Sequence, residues 1–394
     1  MRYAKETDNK LNKLKLVTGV TAPGSVVLLE GQLKYFYEKG YECYLICPPE
    51  ERVKAFCKKE NCTHLSVTIK RDISILKDIS SLYKIYKYFK IINPDIVNAG
   101  TPKMGLLAMI AARLIGVKKR IYTCRGFRFE QENGMRRRIL ILMEKIAGLC
   151  AHEIICISPS LKEYAISKNI FSPNKTFVLN KGSSNGINLR IFNRENNIVM
   201  MTELKRKYDL ENKFVFGYIG RLVDSKGILE LFDAFCELYR KNEYFRLVTV
   251  GANPDLRQIK DNSIIDKYKS HPGIINIEYQ KEVSAFMQMF DVFVLPTWRE
   301  GFGNVLIQAA ALGIPCITTD VTGAKDAVKK DFNGIIVPAK DTVALSNAML
   351  ELFNDNEKRT KLGINGIEWA KNFDNKIIWE GMNDLYMNRF NNLN

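Results

Sequence analysis

The sequence lacks the cysteine spacing of a metal site: none of its nine cysteines, Cys43, Cys47, Cys57, Cys62, Cys124, Cys150, Cys156, Cys236 and Cys316, forms a C-x-x-C pair or a Cys/His cluster at zinc-ligand spacing. Several lie inside apolar runs, where a reduced thiol is a small core residue, so no metal is expected. Long apolar runs are also missing. MGLLAMIAARLIGV and ILILMEKIAGLCAHEIICI are too short, or carry charges, to span a bilayer. The N-terminal stretch is polar and Lys-rich and enters the strand-like LKLVTGV with no h-region or cleavage site, so a cytosolic chain is expected. There is no G-x-G-x-x-G, no D-x-D at a strand end, no internal repeat and no low-complexity segment.

Acidic residues are in short supply against basic ones. Lys and Arg number 59 and Asp and Glu 43, a net charge of +16. The excess thickens in KYFKII, GVKKRIYTCRGFRFE and GMRRRILILMEK. Nucleic acid would suit it, yet no RNP, helix-turn-helix or finger signature and no aromatic interleaving accompanies it, so no nucleic-acid partner is expected. An anionic membrane surface or phosphorylated substrates suit it equally, and Arg136, Arg137 and Arg138 at the head of an apolar helix favour the membrane. A merely solvated basic face is the plainer alternative.

With 394 residues, the chain is too long for one ordinary core. In the first half strands alternate with helices: LKLVTGV, a helix near Leu28–Lys39, ECYLICP, a helix near Val53–Lys59, THLSVTI and a helix in LKDISSLYKIYKYFKII. DIVNAG, a helix near Met104–Ile115, KRIYTCRG, a helix near Met135–Cys150 and EIICIS follow. Such alternation predicts a parallel, doubly wound α/β sheet. A polar stretch between Asn185 and Lys207 marks a boundary, after which the alternation resumes at FVFGYIG and runs to GIIVP. Two Rossmann-like domains are expected, 1–205 and 206–375, with a helix over 376–394 whose Trp379, Met382, Leu385 and Tyr386 are spaced to pack back on the first domain.

Four clusters at strand ends have the composition of a phosphate site. In TGVTAPGS, Gly19 and Gly24 permit tight turns and Ser25 is placed to cap the next helix, which an ordinary strand-to-helix turn would also explain. In GYIGRLVDSKGI, Gly220 allows close backbone approach, and Arg221 and Lys226 can clamp a diphosphate. A surface Arg and Lys in a turn is the competing account. In PTWREGFGNVLIQAAALGIP, Gly301, Phe302 and Gly303 lead into a helix from Asn304, whose free N–H groups suit an anion. Glu300 would repel a phosphate and so reads as an acceptor of hydrogen bonds from sugar hydroxyls, while Gln308 lies one turn deeper, unless it only bonds locally. In YTCRGFRFE, Arg125 and Arg128 flank Gly126, either as phosphate ligands or as partners of Glu130 or Glu132.

GYIGRLVDSKG, DVFVLPTWREGFGNVLIQAAALGIPCITTDVTGAKDAV and NGIIVP fall in the order and spacing of one family: the second half resembles the retaining glycosyltransferases of family 4 with the GT-B fold. EGQLKYFYEKGYE, AGTPKMGLLAMIAARLIGVKKRIYTCRGFRFE, ICISPSLKE and KGSSNGIN make the first half similar to a bacterial subgroup that extends lipid-linked sugars, so the resemblance covers about Leu14–Trp379. It implies two Rossmann-like domains facing a central cleft, a nucleotide-sugar donor of the UDP class, a polyprenyl-diphosphate-linked acceptor and no cofactor or metal. It further implies that Arg221 and Lys226 hold the diphosphate, that Gly303, Asn304 and Val305 offer backbone near the sugar and β-phosphate, and that Glu300 binds sugar hydroxyls. The family's second glutamate, which holds the ribose, is Gln308 here, and Arg125 stands where many members carry a His. Those departures keep a non-catalytic nucleotide-sugar sensor or partner subunit open beside the enzyme. The expected location is peripheral, on the inner face of the cell membrane.

Overall fold

The computed structural model describes residues 13–70, 74–251, 259 and 268–387. The first twelve residues, on which the expected absence of a leader partly rests, and 388–394 of the expected terminal helix lie outside the described residues. The chain forms two compact units. The first takes in Met1–Ile155, Asn169–Phe177 and Met382–Asn394, and the second Cys156–Lys168 and Val178–Gly381. The main division thus falls at Phe177/Val178, where the sequence reading places a boundary at 205/206.

The first unit is built on seven strands: β1 (Lys15–Gly19), β2 (Glu42–Cys47), β3 (Thr63–Ser66), β4 (Ile96–Gly100), β5 (Lys119–Cys124), β6 (Glu153–Cys156) and β7 (Thr176–Phe177). Their order is β3-β2-β1-β4-β5-β6-β7, and the pairs β1/β2, β1/β4, β2/β3, β4/β5 and β6/β7 are parallel. Leu16, Val17, Leu45, Ile46, Val97 and Ile121 are almost fully enclosed, as strands covered by helices on both faces require. β7 escaped the sequence reading because two residues carry no periodicity.

One expected cap is corrected. Ser25 lies within the 3-10 turn Pro23–Leu29, and its own N–H donates to the Ala22 carbonyl at 2.9 Å rather than its hydroxyl capping a helix. The next α-helix, Gln32–Glu38, begins after Gly31 and is capped from a distance: the buried Glu60 carboxylate accepts from Gly31 N at 2.8 Å and Lys34 N at 3.1 Å. A carboxylate that holds two free N–H groups at once leaves the local hydroxyl with nothing to do.

The second unit holds β8 (Phe214–Ile219), β9 (Phe245–Val250), β10 (Ile274–Ile277), β11 (Val292–Leu295), β12 (Cys316–Thr319) and β13 (Gly334–Val337), in the order β10-β9-β8-β11-β12-β13. The polar stretch after Asn185 contains the helix Ile198–Lys207. Helices Thr342–Asn354, Asn356–Ala370 and Asn375–Tyr386 close the described chain. Residues of the last helix up to Gly381 group with the second unit, and its final turn groups with the first. There Tyr386 Oη accepts from Asn98 Nδ2 at 2.6 Å, and Tyr41 Oη donates to Asn383 Oδ1 at 2.9 Å.

Candidate functional site

In the second sheet the strand order reverses between β8 and β11, and the loops that leave the carboxyl ends of these two strands carry the residues singled out above. Open α/β sheets bind ligands at such a switch point. The loop after β8 passes Gly220 and the exposed Arg221, whose carbonyl accepts from Tyr218 Oη at 2.7 Å. The Tyr218 phenol is pushed well above its ordinary pKa by burial and by the nearby Glu300 carboxylate. The turn Asp224–Lys226 then ends at Gly227, which holds φ +69°. A Cβ on Gly227 would lie 1.8 Å from the Pro296 carbonyl oxygen, so only glycine lets this loop rest on the end of β11.

That contact brings two of the expected residues together. Lys226 Nζ donates to Glu300 Oε2, and the two side chains are 19% and 22% exposed. Trp298 N donates to the Ser225 carbonyl at 3.0 Å, and Trp298 Nε1 donates to Glu230 Oε1 at 2.9 Å. Lys340 Nζ lies 4.4 Å from the Trp298 ring centroid, and burial raises the pKa of Glu230. The stretch before Glu300 is therefore fixed on both sides.

Gly303 caps the helix Asn304–Ala311 with φ +80°, a conformation that strains any side chain. As first residues of a helix, Asn304 and Val305 present N–H groups with no acceptor inside it. Gly323, at φ +82°, packs so tightly that its Cβ would come 2.4 Å from the Gly301 carbonyl oxygen. Phe302 is buried and lies 5.2 Å from the Phe373 ring. Gln308 is half-buried on the helix face one turn below Asn304, and its amide has no hydrogen-bond partner among the described residues.

Sequence reasoning missed Ser183, which buttresses this site. It is buried at φ +81°, its hydroxyl donates to Asn304 Oδ1 at 2.8 Å, and the neighbouring Gly182 has no room for a Cβ because Phe302 would lie 2.9 Å away. The motif KGSSNGIN contained the signal, since a Gly beside polar residues marks an unusual backbone, but no spacing rule pairs it with Asn304. Among the described residues no group of three or more His, Cys, Asp or Glu is placed to hold a metal ion.

The remaining expected residues lie in the first unit. Gly24 is exposed and Ser25 half-buried in the turn after β1. Arg128 is half-buried in the turn Arg128–Gln131, and Arg125 directly follows β5. The acids once open as partners do not pair with Arg125. Glu132 instead meets Arg136 at 3.3 Å, with Arg137 placed 6.0 Å from the Phe129 ring and Arg138 exposed. Arg136–Arg138 begin the helix Gly134–Cys150, which leaves Met135, Ile139 and Leu142 exposed. Among the described residues no helix is long and apolar enough to cross a membrane.

Two parallel Rossmann-like sheets in one chain, the second with its basic and glycine-rich loops at the switch point, define the GT-B class. Solved structures share this fold, among them a glycosyltransferase from Rickettsia africae (TM-score 0.79, 17% identity, 97% of this chain and 100% of that one). Anabaena HepE in complex with UDP is another (TM-score 0.78, 17% identity, 94% and 98%). The family model for glycosyl transferases group 1 matches residues 200–369, and that for glycosyl transferase 4-like domains matches 20–158. The capsular polysaccharide biosynthesis glycosyltransferase CapM of Staphylococcus aureus is 38% identical over 370 residues, 93% of this chain and 95% of CapM. The UDP-Gal:alpha-D-GlcNAc-diphosphoundecaprenol alpha-1,3-galactosyltransferase of Escherichia coli is 29% identical over 318 residues, 79% of this chain and 78% of that enzyme. The chain belongs to family 4 of the glycosyltransferases.

Proposed function

We propose that the protein moves a hexose or N-acetylhexosamine from a UDP-sugar to a polyprenyl-diphosphate-linked saccharide, with retention of anomeric configuration, during assembly of a cell-surface polysaccharide. The observation that carries this reading is the meeting of Lys226, Glu300 and the start of the Asn304–Ala311 helix at the switch point of the second sheet. The names of the relatives supply its chemistry: a UDP-sugar donor and a diphosphoundecaprenol acceptor in the E. coli enzyme, and capsule synthesis for CapM.

Breaking the bond from sugar to phosphate builds negative charge on the leaving diphosphate and positive charge at the anomeric carbon. Arg221, Lys226 and the helix N-terminus are the groups suited to the former. In the unliganded chain Lys226 is held by Glu300. A diphosphate would replace Glu300 as the partner of Lys226 and release that carboxylate to accept hydrogen bonds from sugar hydroxyls. Donor binding and assembly of the sugar site become one exchange of partners. The acceptor hydroxyl attacks the face that the leaving group departs from, and a phosphate oxygen takes its proton. The acceptor binds through the first unit, and the basic helix Gly134–Cys150 rests on the anionic inner face of the cell membrane.

The test is transfer itself. The protein is incubated with UDP-glucose, UDP-galactose or their N-acetylated forms and a short-chain prenyl diphosphate carrying one N-acetylhexosamine, and the product is read by mass and anomeric proton coupling. One donor should give an α-linked product, with the rate reduced about a hundredfold or more by Lys226→Ala. Donor binding without transfer to any lipid-linked acceptor would instead favour a sensor or partner subunit.

A further inference from the structure

Arg125 has no carboxylate acting on it among the described residues. Its Nε and Nη1 atoms are enclosed by protein and have no hydrogen-bond partner, although a guanidinium brings five donors. The groups acting on it are Tyr122, Tyr386 and Cys124, with no carboxylate among them, and burial pulls its pKa down to about 10. Enclosed guanidinium nitrogens with no acceptor cost free energy, so a purely structural arginine would have an acceptor beside them.

Its surroundings are built to receive the missing partner. The guanidinium lies over Gly100, the last residue of β4, so closely that a Cβ there would fall 1.4 Å from Nη1. The next residue, Thr101, holds φ +72° at the head of the helix Pro102–Ile115, an unusual conformation for a β-branched side chain. Its hydroxyl lies 2.7 Å from that of Thr21, just beyond the end of β1. β1 and β4 are the neighbours at which the order of the first sheet reverses, so Thr21, Gly100 and Thr101 lie at that sheet's switch point and Arg125 reaches over Gly100 from just past the end of β5. Arg125 as a whole remains partly exposed, which leaves a ligand access to it.

We propose that Arg125 anchors a phosphate-binding site at the switch point of the first unit, and that it takes a phosphoryl group of the diphosphate joining the acceptor saccharide to its polyprenyl chain. The identity of the ligand rests on the acceptor reading above; the site itself rests on the unpaired guanidinium. The acceptor is then recognised by its diphosphate as well as by its sugar, and a free saccharide of the same structure is a poor substrate.

The experiment compares the parent chain with Arg125→Gln and Arg125→Lys by calorimetry and thermal unfolding. The probes are UDP, inorganic pyrophosphate added in the presence of saturating UDP, and a short-chain prenyl diphosphate carrying one N-acetylhexosamine. We expect Arg125→Gln to weaken pyrophosphate and the prenyl diphosphate at least tenfold, Arg125→Lys to weaken them less, and UDP to stay within twofold. The unliganded Arg125→Gln protein should melt no lower than the parent, because the variant removes an unpaired charge. Unchanged affinity for pyrophosphate and the prenyl diphosphate would overturn the site, as would a fall in melting temperature with affinity intact. Weakened UDP alone would assign the phosphoryl group to the donor and overturn the acceptor assignment. A parent chain that fails to bind UDP while Arg125 still governs pyrophosphate would bring down the donor reading and leave the site standing.

Discussion

At the scale of single residues, Glu144 ties stability to pH. It is buried in the helix Gly134–Cys150, accepts a hydrogen bond from Tyr122 Oη at 2.7 Å, and burial raises its pKa from 4.5 to about 7. Below about pH 4.5 the folded and unfolded chains both hold this proton. Between pH 4.5 and 7 the unfolded chain releases it first, so stability falls as pH rises through that window and stays lower above it, by about 3 kcal/mol at most. Glu144→Gln keeps an acceptor for Tyr122 and removes the titration. Urea unfolding at pH 4.5 and 8 should show the variant gaining on the parent at the higher pH; an equal difference at both would contradict the assignment. Gly227 makes a second residue-scale case. Gly227→Ala must push a Cβ into the Pro296 carbonyl at a positive φ, so it should lose about 2 to 4 kcal/mol in the same assay and weaken any ligand that Lys226 holds.

At the scale of elements, Glu60 shows where stability comes from contacts distant in the chain. Glu60→Ala would orphan the N–H groups of Gly31 and Lys34 and should cost roughly 1 to 3 kcal/mol, read by urea unfolding at neutral pH, whereas Ser25→Ala should change stability by less than about 0.5 kcal/mol. The same contrast marks what the sequence made legible. Buried parallel strands are apolar runs and their helices are periodic, so the alternation, both sheets and the helix from Asn304 could be read directly. The glycines at 220 and 303 and the basic pair at 221 and 226 stood out because strand-end turns enrich few residue types. Glu60, Ser183 and the pairing of Lys226 with Glu300 were illegible, because each joins positions 26 to 121 residues apart and no local pattern records such a pair. β7 is too short to leave any pattern.

At the scale of the whole molecule, the net charge of +16 suits an anionic partner, and a diphosphate or a membrane surface would be one. The helix Gly134–Cys150 combines Arg136 and Arg138 with exposed Met135, Ile139 and Leu142, the mixture that an interfacial helix presents to lipid. Replacing Arg136, Arg137 and Arg138 by Gln should release the protein from phosphatidylglycerol vesicles in a sedimentation assay, by about 1 kcal/mol for each charge near the surface. Binding that survives the triple change at low salt would exclude this helix as the contact.

Nucleotide-sugar binding at the second unit's switch point is read by thermal stabilisation with a panel of UDP-, GDP- and ADP-sugars. The parent is compared with Glu300→Ala and with Gln308→Glu, which restores a charged acceptor where the half-buried amide has no partner. The melting temperature should rise with one UDP-sugar, and the rise should be lost in Glu300→Ala and enlarged in Gln308→Glu. A folded parent that no nucleotide sugar stabilises, or a UDP-sugar shift indifferent to Glu300, would contradict binding at this switch point.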